Sequence, residues 1–315
     1  MLAVTGADGF IGRAIVPLLV REGHEVRGLV RATSTDTVAR REYVAVGDLA
    51  QWTDAAMRTT VRDAGAVVHL AGLAHRAAAS PATLRAVNVD ATSRLARAAA
   101  ESGVAHFVFA SSVKVNGETS TPGQPFRESD PPNPLDAYGA SKWAAERALA
   151  EVAESTGMRV TILRLPLTYG PRAKANIAAL AAAVRRGIPL PLASIDNRRS
   201  VLGVGNLASA LDALLASEGD ARRATTYFVA DAQAVSTSAL VEAMARAMRV
   251  TPRLFALPTA ALRVAGAWSG RSETIERLLD TLEVDTGAFR GRFAWSPPHS
   301  LDEGMAQAFG PGAPL

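Results

Sequence analysis

Glycines at positions 6, 9 and 12 punctuate the N-terminus with a spacing that leaves few folds open. The apolar run Leu2-Ala3-Val4 reads as a buried strand and Ile11–Arg21 as a helix, with Thr5-Gly6-Ala7-Asp8-Gly9-Phe10-Ile11-Gly12 across the junction. In such a strand–turn–helix unit the first glycine permits a tight turn. The second lets backbone approach a pyrophosphate, and the third lets the helix pack on the strand. The helix N-terminus adds free N–H groups and the positive end of a dipole. A strand before the motif and a helix after it give the glycines this meaning. The expectation is a βαβ fold with a dinucleotide held at Gly6, Gly9, Phe10, Ile11 and Gly12.

The pattern continues beyond the loop. Strand-like runs at Leu2–Val4, Glu25–Val30, Tyr43–Val46, Val67–Ala71, His106–Ala110 and Val160–Arg164 alternate with helical stretches at Ile11–Arg21, Thr53–Asp63, Ala82–Glu101 and Tyr138–Thr156. Strands separated by helices imply a parallel sheet covered on both faces. After Leu165-Pro166 the rhythm changes: helices are expected near Ile177–Arg186, Val204–Ser217, Leu240–Met248, Thr259–Ala267 and Glu273–Asp280, with one further strand at Thr226–Ala230. The fold class expected is α/β, a Rossmann-type doubly wound parallel sheet with a smaller, mostly helical substrate lobe. Residues 1–170 would form the dinucleotide-binding domain, to which 201–235 return. Residues 171–200 and 236–315 would form the lobe.

Tyr138 and Lys142 lie four positions apart, following Ser112. If Tyr138 opens a helix, the two side chains share one face. A phenol ordinarily titrates near 10 and is a weak catalyst at neutral pH, but a nearby ammonium favours the phenolate and pulls that value down. Ser112 ends an apolar run and can donate to the same reacting oxygen. The trio suits proton transfer at a carbon bearing a hydroxyl or carbonyl, so an enzyme is expected.

Composition excludes more than it assigns. Without cysteine there are no disulfides, zinc–thiolate sites or thiol nucleophiles. The five histidines have no metal-ligand spacing, so no metal is expected; His69 reads as a core residue and His75 as a weak substrate candidate. No apolar run approaches the ~20 residues that span a bilayer, and the first residues read as a strand and glycine loop, not as a secretory leader. A cytoplasmic protein without membrane or nucleic-acid partners is expected. The net charge of +4 would still favour an anionic substrate. Of 34 basic residues only Lys114, Lys142 and Lys174 are lysine. Arginine cannot replace a compact, deprotonatable amine, so all three lysines are expected in one cleft.

These residues together resemble the extended short-chain dehydrogenase/reductase superfamily of sugar-nucleotide epimerases, dehydratases and reductases. The resemblance rests on Thr5-Gly-x-x-Gly-Phe-Ile-Gly12, Asp48-Leu49, His69-Leu-Ala-Gly72, Asn88, Ser111-Ser112, Tyr138-x-x-x-Lys142 and Leu163-Arg-Leu-Pro166 followed by Tyr169-Gly-Pro171. It implies that Ser112, Tyr138 and Lys142 are catalytic. It also implies that Asp48 and Leu49 lie against adenine, that Leu70, Ala71 and Gly72 line the cofactor with Asn88 nearby, and that Pro166 borders the nicotinamide. Arg199 falls where the family holds a sugar-nucleotide diphosphate, and Arg271 is a weaker candidate for that role. The wording around Lys114 and at Lys174-Ala-Asn176 is similar to polysaccharide-pathway enzymes that reduce or epimerise C4 of UDP-linked N-acetylhexosamines, so Lys114, Lys174 and Asn176 are expected to touch substrate.

Two departures shape the functional expectation. Val115-Asn116-Gly117 lacks the tyrosine common there, and Arg31 follows the second strand where NAD-specific members carry an acid. An arginine accommodates a 2′-phosphate, which favours NADP(H), with NAD(H) as the alternative. The leading expectation is an NADPH-dependent reductase of a 4-keto UDP-sugar, of the 4-keto-6-deoxy N-acetylhexosamine type. A UDP-hexose 4-epimerase is the alternative, and a non-catalytic dinucleotide sensor is the distant third. The helix bearing Trp143 and Leu149 reads equally as the seam of a homodimer and as a helix packed into the core.

Overall fold

The computed structural model describes residues 1–32, 41–74, 79–217 and 223–313, and every structural statement concerns these; His75 lies outside them. The strands are β1 (Leu2–Thr5), β2 (Val26–Val30), β3 (Arg41–Ala45), β4 (Ala66–His69), β5 (His106–Ser112), β6 (Arg159–Leu165), β7 (Leu167–Tyr169), β8 (Val201–Gly203) and β9 (Ala224–Phe228). Seven of them form one sheet in the order β3-β2-β1-β4-β5-β6-β9, with every pairing parallel. This is the Rossmann-type doubly wound sheet that the alternating pattern predicted.

The helices of the first half are α1 (Phe10–Arg21), α2 (Asp54–Val61), α3 (Pro81–Arg85), α4 (Ala91–Glu101) and α5 (Ala137–Thr156). The strands they connect are apolar on both sides, as a sheet covered on both faces requires. In β1, Leu2 and Val4 face one core with Ile15 and Leu19 of α1, while Ala3 faces the other with Leu95 and Leu149. Leu149 is therefore core, and Trp143 is only partly buried, with the Arg164 guanidinium 6.0 Å from its ring centroid.

The helices of the second half are α6 (Ala175–Arg185), α7 (Val204–Ala216), α8 (Thr237–Met248), α9 (Thr259–Trp268), α10 (Ser272–Leu279), α11 (Gly287–Phe293) and α12 (Leu301–Phe309). α7 packs beside α1 on the main sheet, and Phe289 of α11 meets Tyr227 of β9 edge-on at 5.7 Å. The others form two smaller cores, one under α6, α8 and α12 and one under α8, α9 and α10.

A two-stranded sheet of β7 and β8 escaped sequence reading because three residues show no periodicity. It is fixed by a buried polar hub. Asp231 accepts from the Tyr169 hydroxyl at 2.7 Å, from Gly203 N at 3.0 Å and from Asn206 Nδ2 at 2.7 Å. Asn206 in turn exchanges hydrogen bonds of 2.9 Å with the backbone of His299. Gly304 of α12 seats against the Tyr169 ring, where a Cβ would come within 2.5 Å of the hydroxyl. Among the described residues no helix is long and apolar enough to cross a membrane.

Candidate active site

The glycine loop forms the cradle that its spacing implies. Gly6 has φ +66°, and a Cβ there would lie 2.9 Å from Ala71 N. A Cβ on Gly12 would sit 2.2 Å from the Gly6 carbonyl oxygen, so α1 approaches the turn as closely as backbone allows. Gly9 caps α1 without a side-chain hydrogen bond, and no acidic residue occupies the first turn. The N–H groups there remain open to a pyrophosphate. Leu70, Ala71 and Gly72 follow β4, with Leu70 N on the Thr5 carbonyl at 3.3 Å and Ala71 N on Thr5 Oγ1 at 3.2 Å. Arg31 is exposed directly after β2, and exposed Asp48 caps the short turn at Leu49 through Ala50 N at 3.0 Å. Pro166 is buried just beyond β6. The loop, the two strand ends and the uncapped helix fit a dinucleotide. A groove of about 1090 Å³ reaches this loop at Ala7 and Asp8 and runs along α1 to Asp212, away from Ser112 and Tyr138.

Ser112 and Tyr138 meet because a short turn docks on the start of α5. Asp136 caps α5, accepting from Gly139 N at 2.6 Å, and a Cβ on Gly139 would come within 2.7 Å of the Lys114 carbonyl. This close approach brings the Ser112 hydroxyl beside the Tyr138 phenol. Lys142, one turn along α5, donates to the Ala110 carbonyl at 2.8 Å and lies 4.4 Å from the centroid of the Phe109 ring. The three residues singled out by spacing therefore share one site.

The expected electrostatics needs correction. Sequence reasoning had Lys142 lowering the pKa of the phenol. Burial instead pushes Tyr138 up to about 12, with the neighbouring Ser112 hydroxyl opposing the rise and the Asp136 carboxylate adding to it. The burden falls on the amine: desolvation lowers Lys142 to about 8, against the pull of Glu146. Tyr138 holds its proton firmly, while Lys142 sits close to losing its own.

Residues that sequence reasoning passed over hold this geometry. Glu146, one turn beyond Lys142, accepts from Arg164 Nη2 of β6 at 2.6 Å, with both side chains buried. Ser111 donates to Glu146 at 2.5 Å, and Arg164 donates to Asn116 Oδ1 at 3.0 Å. The buried pair thus ties α5, β5, β6 and the turn after Ser112 together. The i, i+4 spacing of Lys142 and Glu146 was the available signal. Asn88 lies in a π-helical turn (Ala86–Asp90) between α3 and α4, a distortion frequent at functional sites. Its amide accepts from Leu73 N at 2.8 Å and donates to Ser141 Oγ at 2.9 Å, locking the loop after β4 to the first turn of α5. His69 is a satisfied core histidine between Thr5 and Thr92.

The residues expected near substrate are placed differently from one another. Lys114 is held by Glu118 and Asp136, each at 2.6 Å, beside the triad. The Arg199 guanidinium donates to the Asp280 carbonyl at 2.9 Å and feels the Glu118 and Asp280 carboxylates. Lys174 and Asn176 are exposed at the start of α6, and exposed Arg271 precedes α10.

A model of the NAD dependent epimerase/dehydratase family matches residues 2–230. A UDP-glucose 4-epimerase of Vibrio cholerae is 36% identical over 318 residues, covering 98% of this chain and 95% of that one. A dTDP-4-dehydrorhamnose reductase of Streptomyces griseus is 32% identical over 215 residues, 65% of this chain and 66% of its own length. Among solved structures, MoeE5 in complex with UDP-glucuronic acid and NAD superposes with a TM-score of 0.77 at 26% identity, covering 98% of this chain and 97% of that one.

Proposed function

Because the chain belongs to the NAD dependent epimerase/dehydratase family, we propose that it reduces a 4-keto UDP-sugar, of the 4-keto-6-deoxy N-acetylhexosamine type, with NADPH. That it is an enzyme using a nicotinamide dinucleotide follows from the membership. The observation carrying the reductive reading is Tyr138, a half-buried phenol beside Ser112 whose proton is held more tightly than in water. Reduction of a ketone needs an acid that gives up its proton only as the oxygen gains charge. A bound nicotinamide dinucleotide supplies the hydride. Ser112 would polarise the C4 carbonyl, and Tyr138 would protonate the oxygen. The Lys142 ammonium, on the same face of α5, would stabilise the phenolate left behind.

Gly6, Gly9, Phe10, Ile11 and Gly12 would hold the pyrophosphate, with Asp48, Leu49, Leu70, Ala71, Gly72 and Pro166 along the cofactor. Asn88 would act from behind, by fixing the loop after β4. Arg31, exposed at the end of β2, supports NADPH through charge pairing with a 2′-phosphate. Arg199 would meet the diphosphate, with Lys114, Lys174 and Asn176 toward the sugar. A C4 epimerase is the second reading, supported by the full-length similarity to the Vibrio cholerae epimerase.

The test is incubation with 4-keto UDP-sugars and with UDP-hexoses, following nicotinamide absorbance and product identity. Stoichiometric loss of NADPH with a ketone is expected. Interconversion of UDP-hexoses without net cofactor consumption would overturn the reductive reading in favour of the epimerase. In parallel, Arg31→Asp is expected to weaken NADPH binding and improve NADH binding.

A further inference from the structure

The helical half carries an exposed apolar and basic surface. Among the described residues five large apolar side chains are exposed, and four of them cluster in neighbouring segments: Ile188 (44%), Phe255 (46%), Val264 (57%) and Trp268 (90%). Leu190 and Leu254 bridge; Phe255 N donates to the Leu190 carbonyl at 3.1 Å, and Ala193 N donates to that of Phe255 at 3.2 Å. The segment with Ile188 therefore lies beside the one with Phe255, and α9 begins shortly after. Leu262 is buried on the inner side of α9, and Gly266 is so close to α10 that a Cβ would meet Ile275 Cγ1 at 2.8 Å. The outer side presents Ala260, Ala261, Val264, Ala265, Ala267 and Trp268, all exposed. A water-facing helix surface ordinarily carries charged and polar residues. Single exposed apolar residues need no explanation, but a contiguous group does.

The surrounding charge identifies the partner. Residues 185–195 and 249–272 contain six arginines and no Asp or Glu. Arg263 turns toward Glu276 and Asp280. Arg185, Arg186, Arg249, Arg253 and Arg271 are exposed, and none forms an ion pair among the described residues. Take these six from the 34 basic residues and the rest of the chain, with 30 acidic ones, is slightly acidic. These two segments are strongly basic.

We propose that this face docks on an anionic lipid surface, with Val264 and Trp268 entering the headgroup layer and the unpaired arginines meeting lipid phosphates. Tryptophan favours that layer, and a helix with an apolar outer side and a basic rim lies in its plane. Each arginine near an anionic leaflet adds attraction. A second copy of the chain fits less well, because it would bring two sets of unpaired arginines together. A span-seeking hydropathy reading passes over such a surface, which is assembled from separate segments and attaches without crossing.

The test is co-sedimentation with phosphatidylcholine vesicles, with and without phosphatidylglycerol, at low and high salt. Wild type is expected to sediment with the anionic vesicles, to ignore the neutral ones and to be released by salt. Two double variants are compared, Val264→Glu with Trp268→Glu and Arg253→Glu with Arg271→Glu, each checked by thermal melting. The arginine pair is expected to lose about twentyfold or more in partitioning, at roughly fivefold per arginine. The apolar pair is expected to lose binding altogether. Wild type that ignores phosphatidylglycerol vesicles at low salt overturns the proposal, as does binding that both variants retain. A wild-type dimer that Trp268→Glu dissociates, with no vesicle binding, assigns the face to a second copy and also overturns it.

Discussion

Burial raises the Tyr138 pKa further above its ordinary value near 10, and turnover should follow from the proton it holds. Tyr138→Phe is expected to lower turnover about 10²–10⁴-fold, the usual contribution of a positioned acid, while dinucleotide affinity stays nearly unchanged; single-turnover kinetics beside a binding titration checks both. Lys142 gives the alkaline limit. Its amine stands at about 8 and loses its proton as pH rises through that value, so activity depending on the ammonium should decline above it. Glu146 raises that value, and Glu146→Gln should therefore move the decline to lower pH. The same variant leaves the buried Arg164 unpaired and should cost about 3–5 kcal/mol of stability. An alkaline limb that stays in place would separate Glu146 from Lys142. Sequence spacing singled out Ser112, Tyr138 and Lys142. It did not reveal the direction of the Tyr138 shift, because desolvation depends on which distant segments close over a residue. Asp136, Asn116 and Arg164 were hidden for the same reason: their partners are set by tertiary packing.

Among the elements, the loop from β1 to α1 permits the sharpest experiment. Gly12→Ala would force a methyl into the 2.2 Å between that position and the Gly6 carbonyl. Overpacking of this kind costs about 1–3 kcal/mol, and the displaced helix should bind dinucleotide at least roughly tenfold more weakly by the same energy. Gly291 of α11 is the control, since nothing lies within 4 Å of its would-be Cβ and its φ is not positive. Gly291→Ala should be neutral or stabilising by about 0.5–1 kcal/mol. Comparable losses at the two positions, by calorimetry and cofactor titration, would remove the cradle argument. The long elements were legible because each carries several turns or a full strand of pattern. β7, β8, α11 and α12 were not, and neither was the π turn at Asn88. Short elements are fixed by what they pack on, as Tyr169 is by Asp231 and Phe289 by Tyr227.

For the whole molecule, two buried histidines set the response to acid. Burial lowers both His69 and His106 to about 3. The unfolded chain takes up these protons below about 6.5, and the folded protein only near 3. Their contribution is present above pH 6.5 and is lost as pH falls, at up to about 1.4 kcal/mol per pH unit for each histidine. Denaturant midpoints should therefore drop between about pH 7 and 5, by an amount that His106→Asn reduces; a flat profile would show that neither matters. The Tyr169 hub has a further consequence, in time rather than in energy. Its hydroxyl partner Asp231 and its seat Gly304 lie well downstream in the chain. At translation rates of about 5–20 residues per second, on the order of ten seconds separates the synthesis of Tyr169 from that of α12. Through that interval the nascent chain carries an open seat for a helix not yet made, so the second half of the molecule can close only after Leu301–Phe309 leave the ribosome.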